Sequence, residues 1–275
     1  MNMETNETVE TRKASNKGGG LNAPVTIIIL ILISAAVFHW VFGNPDNFEG
    51  RDIEFGHPKN FIGIIHKGGV IIPFLMSFFL MVLVFGLDRL FALKKASGKG
   101  NATKFVQQIR EMVERNEIDD ALALCDDQKG SLGNVVKEGL TSYKALAKDQ
   151  TMTKEQKLAE LNKVLGEAMT LEMPGLEKNT AIISTIATIG TLIALMGTVI
   201  GMIKAFFALG EGGGTPDAAK LSVGIAEALI NTGMGIGASA CAIIVYNLIT
   251  NFIDNLTFKI DEVGMSIQQA FASHH

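Results

Sequence analysis

The chain has 275 residues, 48% hydrophobic and 19% charged, with a net charge of −4 and a positive mean hydropathy of +0.29. This is apolar enough for a polytopic membrane protein with one modest soluble part, and the acidic balance argues against a nucleic-acid surface, which would need a basic stripe. Cys125 falls in a charged stretch and Cys241 in an apolar one, so their locations argue against a disulfide, and zinc-type spacing is absent.

Residues 1–23 are polar, with Gly18-Gly19-Gly20 and the basic Arg12, Lys13 and Lys17, and are expected to form a disordered cytoplasmic leader. Residues 24–43 start at Pro24 and carry no charge up to Gly43, which predicts transmembrane helix 1, with Trp40 near its far end as interfacial aromatics are. A secretory signal is the competing reading, with Ser34-Ala35-Ala36 near a cleavage site. The leader is long for such a signal, and the apolar run continues past that site.

Residues 44–67 form a polar loop with Pro45, Pro58 and mixed charge, expected in the periplasm. Residues 68–92 predict transmembrane helix 2. It is uncharged up to Asp88-Arg89, which mark a membrane boundary rather than a catalytic pair. Lys94, Lys95, Lys99 and Lys104 follow and mark the cytoplasmic side. The basic leader marks the same side, and two intervening spans satisfy both constraints.

Residues 93–179 balance basic against acidic side chains and predict a cytoplasmic helical domain, with helical stretches at 103–115, 118–125, 132–146 and 153–173. Leu158, Leu161, Leu165 and Ala168 form a helical stripe in the last. Pro174 should kink or interrupt the helix that leads into the membrane.

Two further spans follow. Residues 180–209 predict transmembrane helix 3, 210–220 a Gly-rich periplasmic turn, 221–253 transmembrane helix 4 and 254–275 a cytoplasmic C-terminal helix. Each of these two spans holds one charge, Lys204 and Glu227 respectively. Ser184, Thr188, Thr191 and Thr198 share one helical face, and Gly190, Ala194, Gly197 and Gly201 form a neighbouring small-residue stripe. Ala228, Thr232, Gly235, Ser239 and Ala242 repeat the pattern. Small stripes let helices approach closely in lipid, and hydroxyls give polar contact without buried charge. Gly190, Ala194, Gly197, Gly201, Gly235 and Ser239 are the candidate packing residues, and the hydroxyl faces suit the wall of a slightly polar oligomeric lumen.

Ile253, Leu256, Ile260, Val263, Ile267 and Ala270 are spaced 3, 4, 3, 4, 3, a coiled-coil-like seam. Traced backwards, the same face passes through Ile249, Tyr246, Ala242, Ser239, Gly235, Thr232 and Ala228. One helix would then reach ~75 Å, far beyond a hydrocarbon core of about 30 Å.

Gly197-Thr198-Val199-Ile200-Gly201, followed by Ala226-Glu227-Ala228-Leu229-Ile230-Asn231-Thr232-Gly233, resembles the MotA/TolQ/ExbB proton-channel family, specifically its ExbB/TolQ branch, over roughly residues 70–255. The four apolar runs give the fold class of an all-α membrane protein with four transmembrane helices, to which the resemblance adds long cytoplasmic helical extensions and a ring-forming oligomer. Thr198 and Thr232 resemble the two pore threonines of that branch; the MotA branch usually lacks the first. Otherwise a membrane-helix threonine simply bonds its own backbone one turn back. The resemblance implies a pentamer around a dimer of ExbD-like single-span partners that supply the membrane Asp, and a TonB-like protein that receives the motion. The transported ion is then a proton, and no cofactor or metal is expected. The first span departs from the usual three-span plan. Ala240-Cys241-Ala242 stands where this branch commonly has a proline, which bears on helix shape there.

Glu227 has two readings, a functional intramembrane carboxylate or a hydrated residue at the water boundary. Lys204 either snorkels outward or pairs with Glu227. For function, an ExbB-like motor stator in the cell inner membrane, with both termini cytoplasmic, stands against a TolQ-like subunit and a non-conducting scaffold of the same fold. A secondary transporter is disfavoured by the lack of an internal repeat.

Overall fold

A computed structural model describes residues 21–53, 56–210 and 218–274, without the side chains of 208, 209 and 218–220. Residues 1–20 of the expected leader and 211–217 of the expected turn lie outside the described residues. Among the described residues there is no strand, and a single isolated bridge pairs Phe48 with Pro58.

Helix α1 (Ala23–Val37) starts with a proline in its first turn, where the missing N–H costs nothing, and runs on into a π turn, Phe38–Phe42. Residues 44–53 and 56–67 form a compact cap rather than a plain loop. Two short 3₁₀ turns and α2 (Phe61–His66) fold around Phe48, which is fully buried. Asn60 caps α2 by accepting from the Gly63 N–H at 2.8 Å. Helix α3 (Ile72–Ala96) follows.

Helices α4 (Ala102–Glu114), α5 (Ile118–Gln128), α6 (Gly130–Lys148) and α7 (Lys154–Glu177) come next. Asn101 caps α4 through the Thr103 N–H. Thr153 and Gln156 cap α7 reciprocally, each side chain bonded to the other's backbone, a capping box. The long pair is α8 (Thr180–Gly210) and α9 (Ala218–His274).

This is an all-α, multi-pass membrane protein. The stretches Ala23–Phe42, Gly69–Ala96, Thr180–Phe207 and Leu221–His274 each hold helix long and apolar enough to cross a bilayer. Helices α3, α8 and α9 pack on one another, and α1 lies outside them against α3. Only Leu30 and Ser34 of α1 are buried. Gly86 of α3 brings that helix close to Val245 of α9, where a Cβ would stand 2.7 Å from a valine methyl.

Helix α9 has 57 residues, or ~85 Å at 1.5 Å per residue, and runs unbroken through Ala240-Cys241-Ala242. Its C-terminal half is the central strut of a helical bundle, with α4, α6 and α7 packed around it. Ile249, Ile253, Leu256, Ile260, Val263, Ile267 and Ala270 are all buried. The seam spaced like a coiled coil is therefore satisfied inside the chain. Phe105, Ile109 and Val113 of α4, Leu140 and Tyr143 of α6, and Leu161 and Leu165 of α7 belong to the same core, and Tyr143 meets Phe271 edge-on at 4.9 Å.

Pro174 does not end α7. It sits inside the helix, and the chain breaks later, at Lys178 and at Asn179, whose φ is +61°. Proline removes one hydrogen bond to the preceding turn, but the helix is interrupted where Asn179 takes the left-handed conformation, which asparagine tolerates better than most.

Candidate functional site

Helices α8 and α9 run antiparallel and approach closely because their facing residues are small. A Cβ on Gly201 would stand 2.9 Å from both the Ala228 nitrogen and the Gly224 oxygen, and one on Gly190 2.6 Å from the Ser239 hydroxyl. Gly235 is in turn closed in by Ala194 and the Gly190 carbonyl. The stripe Gly190, Ala194, Gly197, Gly201 thus lies against Gly235, Ser239, Asn231 and Ala228 of the same chain.

Polar groups sit along this contact at successive depths. At one end Lys204 Nζ donates to Glu227 Oε1 at 2.7 Å; the Lys204 side chain is 54% exposed and that of Glu227 9%. Gly69, at φ +75°, closes over the same carboxylate, leaving no room there for a side chain. Of the two readings of Lys204, the structure has the ion pair.

Next comes Asn231, fully buried and over Gly197. Thr198 and Thr232 follow, with hydroxyls 3.4 Å apart. Each also donates to a carbonyl one turn back, Thr198 to Ala194 or Leu195 and Thr232 to Ala228. The backbone bond and the contact between threonines therefore coexist. Both residues are half-buried, leaving one side of the pair open. Below them Thr191 Oγ1 lies 2.9 Å from Ser239 Oγ. Residues 191 to 204 cover about 20 Å of helix, so this polar seam extends through most of a bilayer's hydrocarbon depth.

The remaining hydroxyls are apart from it. Thr188 is exposed, and Ser184 donates to the Ala181 carbonyl. Among the described residues no three His, Cys, Asp or Glu side chains converge as metal ligands would.

Asp88 and Arg89 do more than stand at a boundary. Arg89 is 1% exposed. Its guanidinium binds Asp88 Oδ2 at 2.8 Å and donates to the Gly175 carbonyl of α7 at 3.3 Å. That carbonyl belongs to the last turn of α7, where no intrahelical donor remains. Arg89 thereby ties α3 to the end of α7. Sequence reasoning missed this tie and missed Asn231. The available signal for Asn231 was an amide one turn from Glu227 inside an otherwise apolar run.

In the cap, the His66 ring stacks on Phe38 at 4.6 Å and meets Phe48 edge-on at 5.6 Å. Burial first, then the charges of Lys67 and His39, hold the imidazole below its usual range. In the bundle around the C-terminal half of α9, burial and the neighbouring Asp126 push the Cys125 thiol up to about 12, which leaves it unreactive at neutral pH.

The profile of the MotA/TolQ/ExbB proton channel family matches residues 128–262, the segment from the end of α5 through most of α9. The Tol-Pal system protein TolQ of Haemophilus influenzae is 36% identical over 101 residues, 33% of this chain and 44% of that protein. An ExbB homolog of Methanothermobacter thermautotrophicus is 24% identical over 218 residues, 78% of this chain and 72% of the relative. The biopolymer transport protein ExbB of Salmonella typhimurium is 29% identical over 85 residues, 31% of this chain and 34% of its own length. The chain thus spans less than half of the TolQ and Salmonella relatives.

Proposed function

We propose that this chain, whose residues 128–262 belong to the MotA/TolQ/ExbB proton channel family, is an ExbB-like stator subunit of a motor in the cell inner membrane, driven by the proton motive force and energising TonB-dependent transport across the outer membrane. The observation that carries this reading is the hydroxyl pair Thr198–Thr232, at 3.4 Å and half-buried within the matched segment. Counted inward from the turn, the two lie at similar depths. Between them and the nearest acid of either span, Glu227, there is more than a helical turn, and that acid already faces Lys204.

A membrane proton path needs a carboxylate that can be protonated at depth. In this reading an ExbD-like single-span partner brings one, and chains of the present protein assemble around it as a ring, expected to be a pentamer. The open side of each threonine pair presents hydroxyls to that carboxylate and lowers the cost of holding it, or its relaying waters, away from bulk water. Residues 93–179 and both termini then lie in the cytoplasm, on the side of the Lys94–Lys104 cluster. Proton flow at the ring–partner boundary drives relative rotation, which a TonB-like protein receives.

Thr198→Val with Thr232→Val keeps shape and removes both hydroxyls. Proton-driven uptake in cells carrying this double variant is expected to collapse at unchanged complex abundance, while the two Thr→Ser variants retain most of it. Full uptake in the double valine variant overturns the reading. A TolQ-like role in an envelope-maintenance motor is the second reading, favoured by the 36% identity to TolQ. Disrupting the gene separates the two: envelope leakage with intact uptake supports the TolQ-like role.

A further inference from the structure

Helix α2 is held at the level of the last turns of the first span. At its start Asn60 Nδ2 donates to Asn47 Oδ1 at 2.8 Å, and Asn47 Nδ2 in turn donates to the carbonyls of Val41 at 2.9 Å and Phe42 at 3.2 Å. At its end the His66 ring stacks on Phe38 at 4.6 Å. Phe38–Phe42 is the last part of the apolar stretch Ala23–Phe42, which is long enough to cross a bilayer. The short helix therefore stands beside the end of that span, within its depth, and not above it in water.

The side chains of the cap are sorted to match. Gly63 is buried and His66 half-buried. Phe61 and Ile64, one turn apart, are exposed, Phe61 by 72%. Trp40 and Val70, which flank the cap in sequence, are 75% and 76% exposed. Large apolar side chains left open together mark a surface that meets something other than water. Residues 61–73 hold no acid and a single lysine. That lysine, Lys67, turns back into the cap. Its Nζ donates to the Ile53 carbonyl at 3.0 Å and lies 5.4 Å from the centre of the Phe48 ring. The charged Asp46, Glu49, Arg51, Asp52 and Lys59 all precede α2 and are exposed.

Continuity says what covers the apolar side. Trp40 and Val41 prolong the exposed apolar residues of α1, Ile29, Leu32 and Ile33, and Val70 leads into the exposed Phe74 of α3. Helix α1 lies outside the packed spans with only Leu30 and Ser34 buried, so its open side faces lipid. Lipid that coats this span up to Phe42 meets α2 at the same depth. Amphipathic segments with aromatic anchors settle at the boundary between headgroups and acyl chains, where tryptophan is enriched.

We propose that α2 is an interfacial anchor: Trp40, Phe61, Ile64 and Val70 are seated among the headgroups and upper acyl chains of a phospholipid bilayer, at the end of the spans where α1 and α3 are joined, while the charged part of the cap faces water. The final third of the connection between the first two spans is thus a lipid-binding surface and not a polar loop. The same stretch continues through Gly68 and Gly69, which closely approach Ile230 and Glu227 of α9, so the anchor sits next to the cover of the Lys204–Glu227 pair. The inference needs the chain to cross a membrane and does not depend on the motor reading.

Tryptophan fluorescence tests the seat, because Trp40 is the only tryptophan of the chain. The full chain carrying Trp40→Phe with Phe61→Trp is reconstituted in phosphatidylcholine–phosphatidylglycerol vesicles. Quenchers are bromines on the acyl chains near the headgroups or, separately, iodide in the water on both sides. Trp40→Phe with His57→Trp, measured in the same way, reports the water-facing part of the cap. The Phe61→Trp signal is expected to be quenched more by bromolipid and less by iodide than the His57→Trp signal. Should Phe61→Trp not fold, Trp40→Phe with Val70→Trp reads the same boundary. A signal no more sensitive to bromolipid than that of His57→Trp overturns the proposal. With iodide quenching, α2 then lies in water; without it, a second copy or another protein covers the patch.

Discussion

Lys204 Nζ and Glu227 Oε1 meet at 2.7 Å across the α8–α9 hairpin, but the two side chains live in different surroundings, one 54% exposed and the other 9%. Removing the lysine strands a buried carboxylate, whereas removing the carboxylate frees a lysine that can extend its head toward water. Lys204→Met is therefore expected to cost ~1–3 kcal/mol, between the values for exposed and buried pairs. Glu227→Gln should cost about 1 kcal/mol or less. Thermal unfolding of the detergent-solubilised protein measures both. Equal losses would mean that the pair is solvated at both ends.

The glycines of the hairpin divide into two kinds. A methyl on Gly201 meets backbone atoms at 2.9 Å, which cannot rotate away, while one on Gly233 meets nothing within 4 Å. Gly201→Ala is expected to destabilise by ~1–3 kcal/mol through overpacking. Gly233→Ala should stabilise by ~0.5–1 kcal/mol, the helical preference of alanine over glycine. The melting midpoints of the two variants should move in opposite directions. A loss at Gly233 that tracks dissociation in native mass spectrometry would place another subunit's helix on that face.

Arg89 is buried, pairs with the partly buried Asp88 and reaches the Gly175 carbonyl. Arg89→Met leaves Asp88, 15% exposed, without its counter-charge and the end of α7 without its donor. A loss of ~3–5 kcal/mol is expected for breaking such a pair from one side. Proteolysis near Lys178 should rise with it, since the end of α7 loses its tie to α3. A variant with wild-type stability and cleavage would show that the α7–α8 junction does not depend on this tie.

His66 supplies a pH dependence with a definite sign. Its imidazole is held below the ordinary value near 6.5 by burial, Lys67 and His39, so the folded cap binds its proton less readily than the unfolded segment does. Cap stability is then full above about pH 6.5 and is lost as pH falls through the depressed value. Hydrogen-exchange protection over the cap, taken relative to the intrinsic rate at each pH, is expected to fall from pH 7.5 to 5.5. His66→Leu should flatten that change, and an unaltered profile in this variant would assign the pH dependence to another group.

What the sequence by itself determined is what one dimension can carry. Uncharged runs of about twenty residues can span hydrocarbon wherever they fall, so the apolar segments ahead of Asp88 and on either side of the Gly-rich turn were legible, as was the face of α9 from Ala228 to Ala270. Periodicity says which residues share a face; it does not say what that face meets. Only the tertiary structure decided that the seam from Ile253 to Ala270 is covered by α4, α6 and α7 of the same chain. It likewise set the Gly190–Gly201 stripe against Gly235 and Ser239 within one hairpin. Pro174 pointed to a kink or an interruption, and the helix runs on through it to Glu177, because a proline removes one hydrogen bond while the interruption comes at the left-handed Asn179. Arg89 looked like one more charge at a membrane edge until the fold set the Gly175 carbonyl 3.3 Å from its guanidinium. Asn231 looked like one polar residue in an apolar run until packing over Gly197 left its amide without a partner. Close approach in three dimensions makes such contacts, and the spacing of residues along a helix does not contain it.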